Sequence, residues 1–289
     1  MLTIFLGLSA ACLYSLYNLV SQRLLRTVSW VTITVAMFVT GIVLLGVPAL
    51  FIDGVPSDRG QLRDLGLAAL GGLLYTLATG SFLLALRVGK LSLVVVLACL
   101  DGAFAAAIAI AMGERLSAMA VAGLICAVGG GLLAAVERNE DQGEGDGRRR
   151  WRFAAGAGLA LVCAAAMTGV FVSYGQIEAF SPFTTVSVAS IAGVAVMVPL
   201  ALVARRSAFP SRQNAAGVLG VAVFDMLAFL TGSAALALGP VSVASVLQAQ
   251  TATVSTLLGF ILLRERPAWW QTAGIVATIA GVSLLAWAM

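Results

Sequence analysis

The chain has 289 residues, of which 61% are hydrophobic and only 10% are charged, and its formal net charge is +4. Soluble domains average about 45–50% apolar and roughly 25% charged residues, so this composition excludes an ordinary water-soluble fold. The basic residues sit at the ends of apolar runs, which is the usual membrane pattern, and we expect no binding to nucleic acid.

Ten apolar runs follow one another along the chain, each near the roughly 20 residues that cross a bilayer as a helix. They cover about residues 4–22, 30–52, 65–86, 91–112, 117–136, 153–176, 183–204, 214–238, 241–263 and 268–288. They are too long, and alternate too little, for the strands of an outer-membrane barrel. We therefore predict an all-α polytopic membrane protein with ten transmembrane helices. The first run starts almost at Met1 without a basic segment before it, so we expect no cleaved signal peptide.

The first and third spans carry polar side chains among apolar ones. Tyr14, Asn18 and Gln22 recur every four residues on the first span and so share one helix face. Tyr75 lies in the middle of the third span. Such side chains either line a passage or form hydrogen bonds between helices. Small residues in the third to fifth spans are interpreted as close-packing surfaces; they are Gly71, Gly72, Ala105–Ala107 and Gly129–Gly131.

The fourth and eighth spans each carry an acid near the centre, Asp101 and Asp225. A charged residue at the bilayer centre costs at least about 2.5–3.5 kcal/mol, and no Lys or Arg lies at a comparable depth. Each acid must then face a wet cavity, be protonated or accept hydrogen bonds. Two interpretations stay open: a site for proton coupling or cation recognition, or a protonated carboxyl group bonded to a Ser or Thr of an adjacent helix as interhelical glue.

The ninth span carries a second polar stripe, in which Ser245, Gln248 and Thr251 step by three residues and Ser255 lies one turn further on. We interpret this stripe as the lining of a passage, because a glutamine is costly to bury unpaired. Gln250 points roughly to another side and is expected to bond to a neighbour.

The chain also repeats itself. G-S-F-L-L-A-L at 80–86 matches G-S-A-A-L-A-L at 232–238, and Glu114-Arg115 matches Glu265-Arg266, at offsets of 150–152. We predict a five-helix repeat at 1–136, a charged linker at 137–152 and a second five-helix repeat at 153–289. Because five is odd, the second copy must enter the membrane upside down. Inverted repeats are typical of secondary transporters, whose substrate site lies near the midplane. The two acid–base pairs are interpreted as markers of the membrane boundary.

The ten-helix pattern resembles a known family in its motifs. A-L-x-x-G…S stands before the fourth and ninth spans, and G-E-R-L or R-E-R-P stands after them. This pattern resembles the drug/metabolite transporter superfamily and, within it, the ten-helix EamA type, over essentially the whole chain. In one departure, the family often has Glu-Pro in the middle of the fourth and ninth helices. Here Asp101-Gly102 and Gln250-Thr251 stand there.

The orientation follows from the basic residues. Cytoplasmic termini would leave three Lys and Arg residues on the inner side and fourteen on the outer side, out of seventeen. The positive-inside rule therefore predicts outside termini and a cytoplasmic linker, whereas the family resemblance leans toward cytoplasmic termini.

The residue types and motifs of the chain limit the enzymatic and metal chemistry that it could perform. There is no histidine. Nor does the chain contain a G-x-x-x-x-G-K-[ST] run, so we expect no ATP hydrolysis. The four cysteines, Cys12, Cys99, Cys126 and Cys163, lie inside spans without C-x-x-C spacing and are interpreted as small apolar fillers.

We predict a secondary transporter of the plasma (inner) membrane, not an enzyme, that exports a small organic metabolite or drug by alternating access with proton coupling. No cofactor or metal is expected. The predicted substrate or coupling residues are Asp101, Asp225, Tyr14, Asn18, Tyr75, Gln248 and Thr251. Two alternatives stay open: an intramembrane aspartyl protease, which needs two acids that share a proton, and a lipid-carrier flippase on the same fold.

Overall fold

The computed structural model describes residues 1–54, 59–88, 91–135, 147–204, 210–263 and 268–288. The described residues form twelve helices: α1 (Leu2–Leu24), α2 (Trp30–Asp53), α3 (Arg59–Val88), α4 (Leu91–Ala98), α5 (Leu100–Ala111), α6 (Ala118–Ala135), α7 (Gly147–Tyr174), α8 (Pro182–Val203), α9 (Ala215–Leu238), α10 (Val241–Ala249), α11 (Thr251–Leu263) and α12 (Trp269–Ala288). Because α4 continues into α5, and α10 into α11, the helices make up ten spans. The prediction of an all-α protein with ten transmembrane helices is confirmed.

Six of the described helices are individually long and apolar enough to cross a membrane. They are α1, α2, α8 and α9, with α3 from Gly60 and α7 from Ala154. Large apolar side chains such as Val43, Phe51 and Ile125 remain exposed on the outside of the helices. An apolar exterior is what a lipid-facing surface requires.

The fourth and ninth spans are each interrupted at one residue, where the sequence predicted continuous helices. Cys99 separates α4 from α5, and Gln250 separates α10 from α11; each has ψ near 0°. Neither position is a proline. Polar side chains lie close to both interruptions: Asp101 is two residues after Cys99, and Thr251 follows Gln250 directly. Such side chains offer the backbone alternative hydrogen bonds.

Helices of one repeat pack mainly against helices of the other. α1 packs along α9, and its counterpart α7 packs along α3. α2 packs on its counterpart α8, and α6 on its counterpart α12. Exchanging the two halves maps this pattern onto itself, as expected for inverted repeats. The predicted two-repeat architecture is confirmed.

Glycines let some of these helices approach closely. A Cβ atom at Gly72 would lie 2.5 Å from the backbone of Ala189, and one at Gly130 would lie 2.5 Å from the backbone nitrogen of Thr278. The predicted close-packing role fits these positions. It does not extend to Gly129, around which a Cβ would meet nothing within 4 Å.

The two membrane faces differ in the loops they carry. We call the side on which α1 begins and α12 ends the terminal face, and the side on which α6 ends and α7 begins the linker face. Residues 136–146, most of the predicted linker, lie outside the described residues. α7 begins at Gly147, so the last six positions of the predicted linker are helical.

Carboxylates of the first repeat bind backbone N–H groups of the second repeat at the terminal face. Asp53 accepts a hydrogen bond from the N–H of Ser181, at the start of α8, over 2.9 Å. Asp64 accepts two, from the N–H groups of Glu178 and Ala179, over 2.9 and 2.8 Å. The N–H of Ser181 is one of the free N–H groups at the start of α8, which favour an acidic partner.

Two further hydrogen bonds join the repeats at the same face. Glu114 accepts one from the N–H of Ser242, in the first turn of α10, over 3.1 Å. The Thr3 hydroxyl donates one to the carbonyl of Leu238 over 3.2 Å. Glu114, interpreted from sequence as a boundary marker, thus holds a helix of the other repeat. Its partner in the repeat, Glu265-Arg266, lies outside the described residues.

Candidate functional site

A cavity of about 90 Å³ lies between the repeats at mid-span. All seven residues predicted for the site line it: Tyr14, Asn18, Tyr75, Asp101, Asp225, Gln248 and Thr251. They come from α1, α3, α5, α9, α10 and α11. The topology therefore brings together polar side chains that are as far as 237 residues apart in sequence (Tyr14 and Thr251, 251 − 14 = 237).

Asp225 is the most deeply buried acid of the cavity, with 1% of its surface exposed. It lies ten residues after the start of α9 and thirteen before its end. Its Oδ1 accepts a hydrogen bond from the Tyr75 hydroxyl of the other repeat, over 2.7 Å. Its Oδ2 is buried without a hydrogen-bond partner. One oxygen of the carboxyl group is therefore held by the other repeat, and the second has no partner among the described residues.

An aromatic cluster positions Tyr75 for this bond. The Tyr75 ring stacks on Phe229, one turn after Asp225, with ring centroids 3.9 Å apart and an angle of 8° between the planes. Phe38 packs edge-on against Tyr75 at 6.1 Å, and Tyr174 stacks on the Phe229 ring at 5.6 Å. Rings held at these separations stabilise one another, so the tyrosine hydroxyl is fixed toward the carboxyl group.

Asp101 occupies a different environment, in the first turn of α5. Its Oδ1 accepts the N–H of Gly102 over 2.6 Å. The start of a helix carries the positive end of the helix dipole, so the interruption at Cys99 supplies compensation for this acid in the middle of the membrane. The Thr168 hydroxyl donates to the backbone carbonyl of Asp101, not to its side chain.

These contacts bear on the interhelical-glue interpretation of the acids. It anticipated a Ser or Thr as the partner of each carboxyl group. The partner of Asp225 is instead a tyrosine of the other repeat, and that of Asp101 is a backbone N–H. Both acids remain facing the cavity.

The polar stripe of the ninth span divides between the cavity and the neighbouring helices. Gln248 lines the cavity and donates to the Gly232 carbonyl over 3.3 Å. Thr251 also lines it, with its hydroxyl bonded to the Gln248 carbonyl over 2.8 Å. Ser245 bonds across to the carbonyl of Gly102 in α5. Gln250 bonds to the carbonyl of Ala127 in α6, as expected for a residue on another side.

Several lining residues were not predicted as site residues. Tyr17, Thr79, Cys99 and Cys163 line the cavity, with Met167, Phe82 and Phe171. Tyr17 follows Tyr14 by three residues and Thr79 follows Tyr75 by four, so helical spacing could have found both. The cysteines were interpreted as fillers. In the structure, Cys99 and Cys163 reach the cavity, while Cys12 and Cys126 are exposed on the outside.

The lining contains two carboxyl groups and, among the described residues, no Lys or Arg. Among the same residues no group of three His, Cys, Asp or Glu side chains could hold a metal ion. The two acids also hold separate partners, and the described contacts include no hydrogen bond between their carboxyl groups. The geometry therefore lends no support to a pair of acids that share a proton.

Comparisons with known proteins agree with this architecture. The model of the EamA-like transporter family matches the chain twice, over residues 1–136 and 152–287. No curated protein matches the chain. Among solved structures, 27 chains match. One crystal structure superposes with a TM-score of 0.77 at 19% sequence identity, over 98% of each chain. At that identity the likeness concerns the fold alone.

Proposed function

Since the chain belongs to the EamA-like transporter family, we propose that it exports a small organic metabolite or drug across the plasma membrane by alternating access, in exchange for protons. The chain is a multi-pass membrane protein of a transporter family. We add to this the class of substrate, the direction of transport, the coupling to protons and the plasma membrane as its location.

The observation that carries the proposal is the cavity itself. It lies at mid-span between inverted repeats, which is where secondary transporters bind their substrates. Its lining is mostly apolar, with a few polar groups that converge from both repeats. A binding site for a small molecule has this composition.

Proton coupling rests on the unpartnered oxygen of Asp225. A carboxyl group in a cavity whose described lining contains no Lys or Arg can hold a proton or neutralise a positively charged solute, but not both at once. Binding of one therefore favours release of the other, which is exchange. The proton gradient across a plasma membrane is directed inward, so an exchanger of this kind drives its solute outward.

Neither alternative is favoured by a specific observation. The separate partners of Asp101 and Asp225 do not support an aspartyl protease. A cavity of about 90 Å³ does not support a flippase that must take up a lipid head group.

The test is proton movement in proteoliposomes that contain the purified protein and a trapped pH-sensitive dye. Metabolites from a panel of amines, amino acids and cationic drugs are added one at a time. At least one compound should move protons with the wild type, and Asp225→Asn and Asp101→Asn should reduce this movement while the protein still inserts.

Glu178→Gln is the matched control, because Glu178 is an exposed acid in the terminal-face loop before α8. It should behave as the wild type. If both aspartate variants transport normally across roughly pH 6–8, proton coupling through these acids is wrong.

A further inference from the structure

We propose that the cavity binds the primary ammonium group of a small organic amine that lacks a carboxylate, with Asp225 as its anchor. This inference names the substrate class of the same site and rests on the proposed function.

The charge of the lining sets the sign of the ligand. Asp101 and Asp225 both face the cavity, and no cationic side chain of the described residues does. A buried charge is stable only when it is paired, so the occupant that suits this lining is a cation. An amino acid brings its own carboxylate into the same space, where two acids repel it. The cavity therefore favours a plain amine over the corresponding amino acid.

The hydrogen-bonding capacity of the lining sets the kind of cation. Asp225 Oδ2 is a buried oxygen of the lining without a hydrogen-bond partner. A primary ammonium group has three N–H donors, so it can donate one to this oxygen and keep two for other acceptors of the lining. A quaternary ammonium has none and would leave the Asp225 oxygen unsatisfied, which is costly in a buried site.

The aromatic side chains add attraction for the same charge. Tyr14, Tyr17, Tyr75, Phe82 and Phe171 all line the cavity. The electron-rich face of an aromatic ring attracts a cation, most strongly when the cation is desolvated. The same rings offer an apolar surface to the hydrocarbon part of an amine.

The size of the cavity limits the amine. Sites for drug-sized ligands enclose about 300–1,000 Å³, whereas this cavity encloses about 90 Å³. In this conformation it has room for an amine of about six to nine heavy atoms, or for the charged end of a larger one.

The two acids are expected to differ in importance. Asp101 already has the N–H of Gly102 and the helix start of α5 as partners. Asp225 Oδ2 has none. We therefore assign the ion pair with the ligand to Asp225. Asp101 adds to the negative electrostatic potential of the cavity.

Four small probes test these statements by calorimetric titration of the purified full-length protein in detergent. Isobutylamine is the expected ligand. Valine adds a carboxylate to it, isobutanol replaces its ammonium group by a neutral hydroxyl, and tetramethylammonium keeps the charge without N–H donors. Isobutylamine should bind at least about tenfold more tightly than each of the other three. Asp225→Asn should abolish this preference, while Glu178→Gln, outside the cavity, should retain it.

The comparison of the four probes on the wild type needs no variant, so it stands even if Asp225→Asn does not fold. Tighter binding of valine, isobutanol or tetramethylammonium, equal binding of all four, or binding of none would overturn the amine proposal. So would an unchanged preference in a folded Asp225→Asn protein. The proton-flux measurement with the wider panel remains a separate test, because transport of another solute class would leave the proposed function intact.

Discussion

The hydrogen bond between Tyr75 and Asp225 joins the two repeats at the centre of the membrane. It depends on two properties of one side chain: the hydroxyl donates to the carboxyl group, and the ring stacks on Phe229. The stack serves packing and the hydroxyl serves the site. Substitutions can separate the two.

Tyr75→Phe keeps the stack and loses the hydrogen bond, so it should lower the free energy of unfolding by only about 1–3 kcal/mol. Tyr75→Ala loses the ring as well and should cost about 3–5 kcal/mol. Thermal unfolding midpoints of the purified variants in one detergent check this order. Equal midpoints for the two variants would show that the stack does not stabilise the fold.

The predicted site residues can be recognised in this sequence because they are polar side chains in the middle of apolar spans. Asp101, Asp225 and Gln248 stand out because their neighbours along the chain are apolar. Cys163, Met167 and Phe171 line the same cavity, but their side chains are as apolar as those that face lipid. No pattern in a single sequence separates them. The partner of Asp225 was equally inaccessible, because Tyr75 meets it only through the packing of a helix of one repeat on a helix of the other.

At the scale of helices, α6 and its counterpart α12 pack on each other through glycines at equivalent positions of the two repeats. Gly123 and Gly130 lie on α6, and Gly274 and Gly281 lie at equivalent positions on α12. A Cβ at Gly123 would lie 2.9 Å from the carbonyl oxygen of Gly281, and one at Gly281 would lie 2.7 Å from that of Gly123. Both helices therefore contribute glycines to the contact, which lets their backbones approach closely, as in other close membrane helix pairs.

Adjacent glycines on α6 allow a matched test of this packing. Gly130→Ala places a Cβ against the α12 backbone, which cannot move aside as a side chain can, and should lower the free energy of unfolding by about 1–3 kcal/mol. Gly129→Ala meets nothing within 4 Å and should be neutral or stabilise by up to about 1 kcal/mol. Unfolding midpoints of the two variants should move in opposite directions or differ clearly. Equal losses would contradict the close approach.

The interruptions of the fourth and ninth spans could not be predicted from the sequence. Hydrophobic runs placed all ten spans, because length and apolarity decide which segments cross a membrane. They did not reveal the interruptions at Cys99 and Gln250, since neither residue is a proline and both spans stay predominantly apolar over their full length. Asp101 gains its compensating helix start only through that interruption.

For the whole molecule, the repeat in the sequence predicted the symmetry but not the pairing of helices. Offsets of 150–152 relate α1 to α7 and α3 to α9. They do not tell that α1 packs on α9 rather than on α7. Nor do they foresee that carboxylates of the first repeat bind the second at the terminal face. Orientation in the membrane stays a prediction from the charge count.

The terminal-face hydrogen bonds should limit access to the cavity from that side. Asp64→Ala removes the acceptor of two N–H groups, each bond to a charged group being worth about 1.5–3 kcal/mol at most. We expect a membrane-impermeant maleimide, added on the side of a tagged N-terminus, to label Cys99 and Cys163 about tenfold faster. The background is Cys12→Ala with Cys126→Ala.

Glu178→Gln, which leaves the backbone N–H of residue 178 in place, controls for a change of charge in the same loop. Its labelling should match that of the background protein. Unchanged labelling of the Asp64→Ala protein would show that these bonds do not close the terminal face.

Because helices of the first repeat pack mainly on helices of the second, the first half of the chain lacks its packing partners while the protein is being synthesised. α1, α2, α3 and α6 find their main contacts in helices that the ribosome makes later. At about 5–20 residues per second, the first five spans wait roughly 7–30 seconds in the bilayer for the remaining 137 residues (289 − 152 = 137). During that interval Asp101 lacks the part of its cavity that the second repeat supplies, so we expect nascent chains to be most open to capture by chaperones or proteases before the second half arrives.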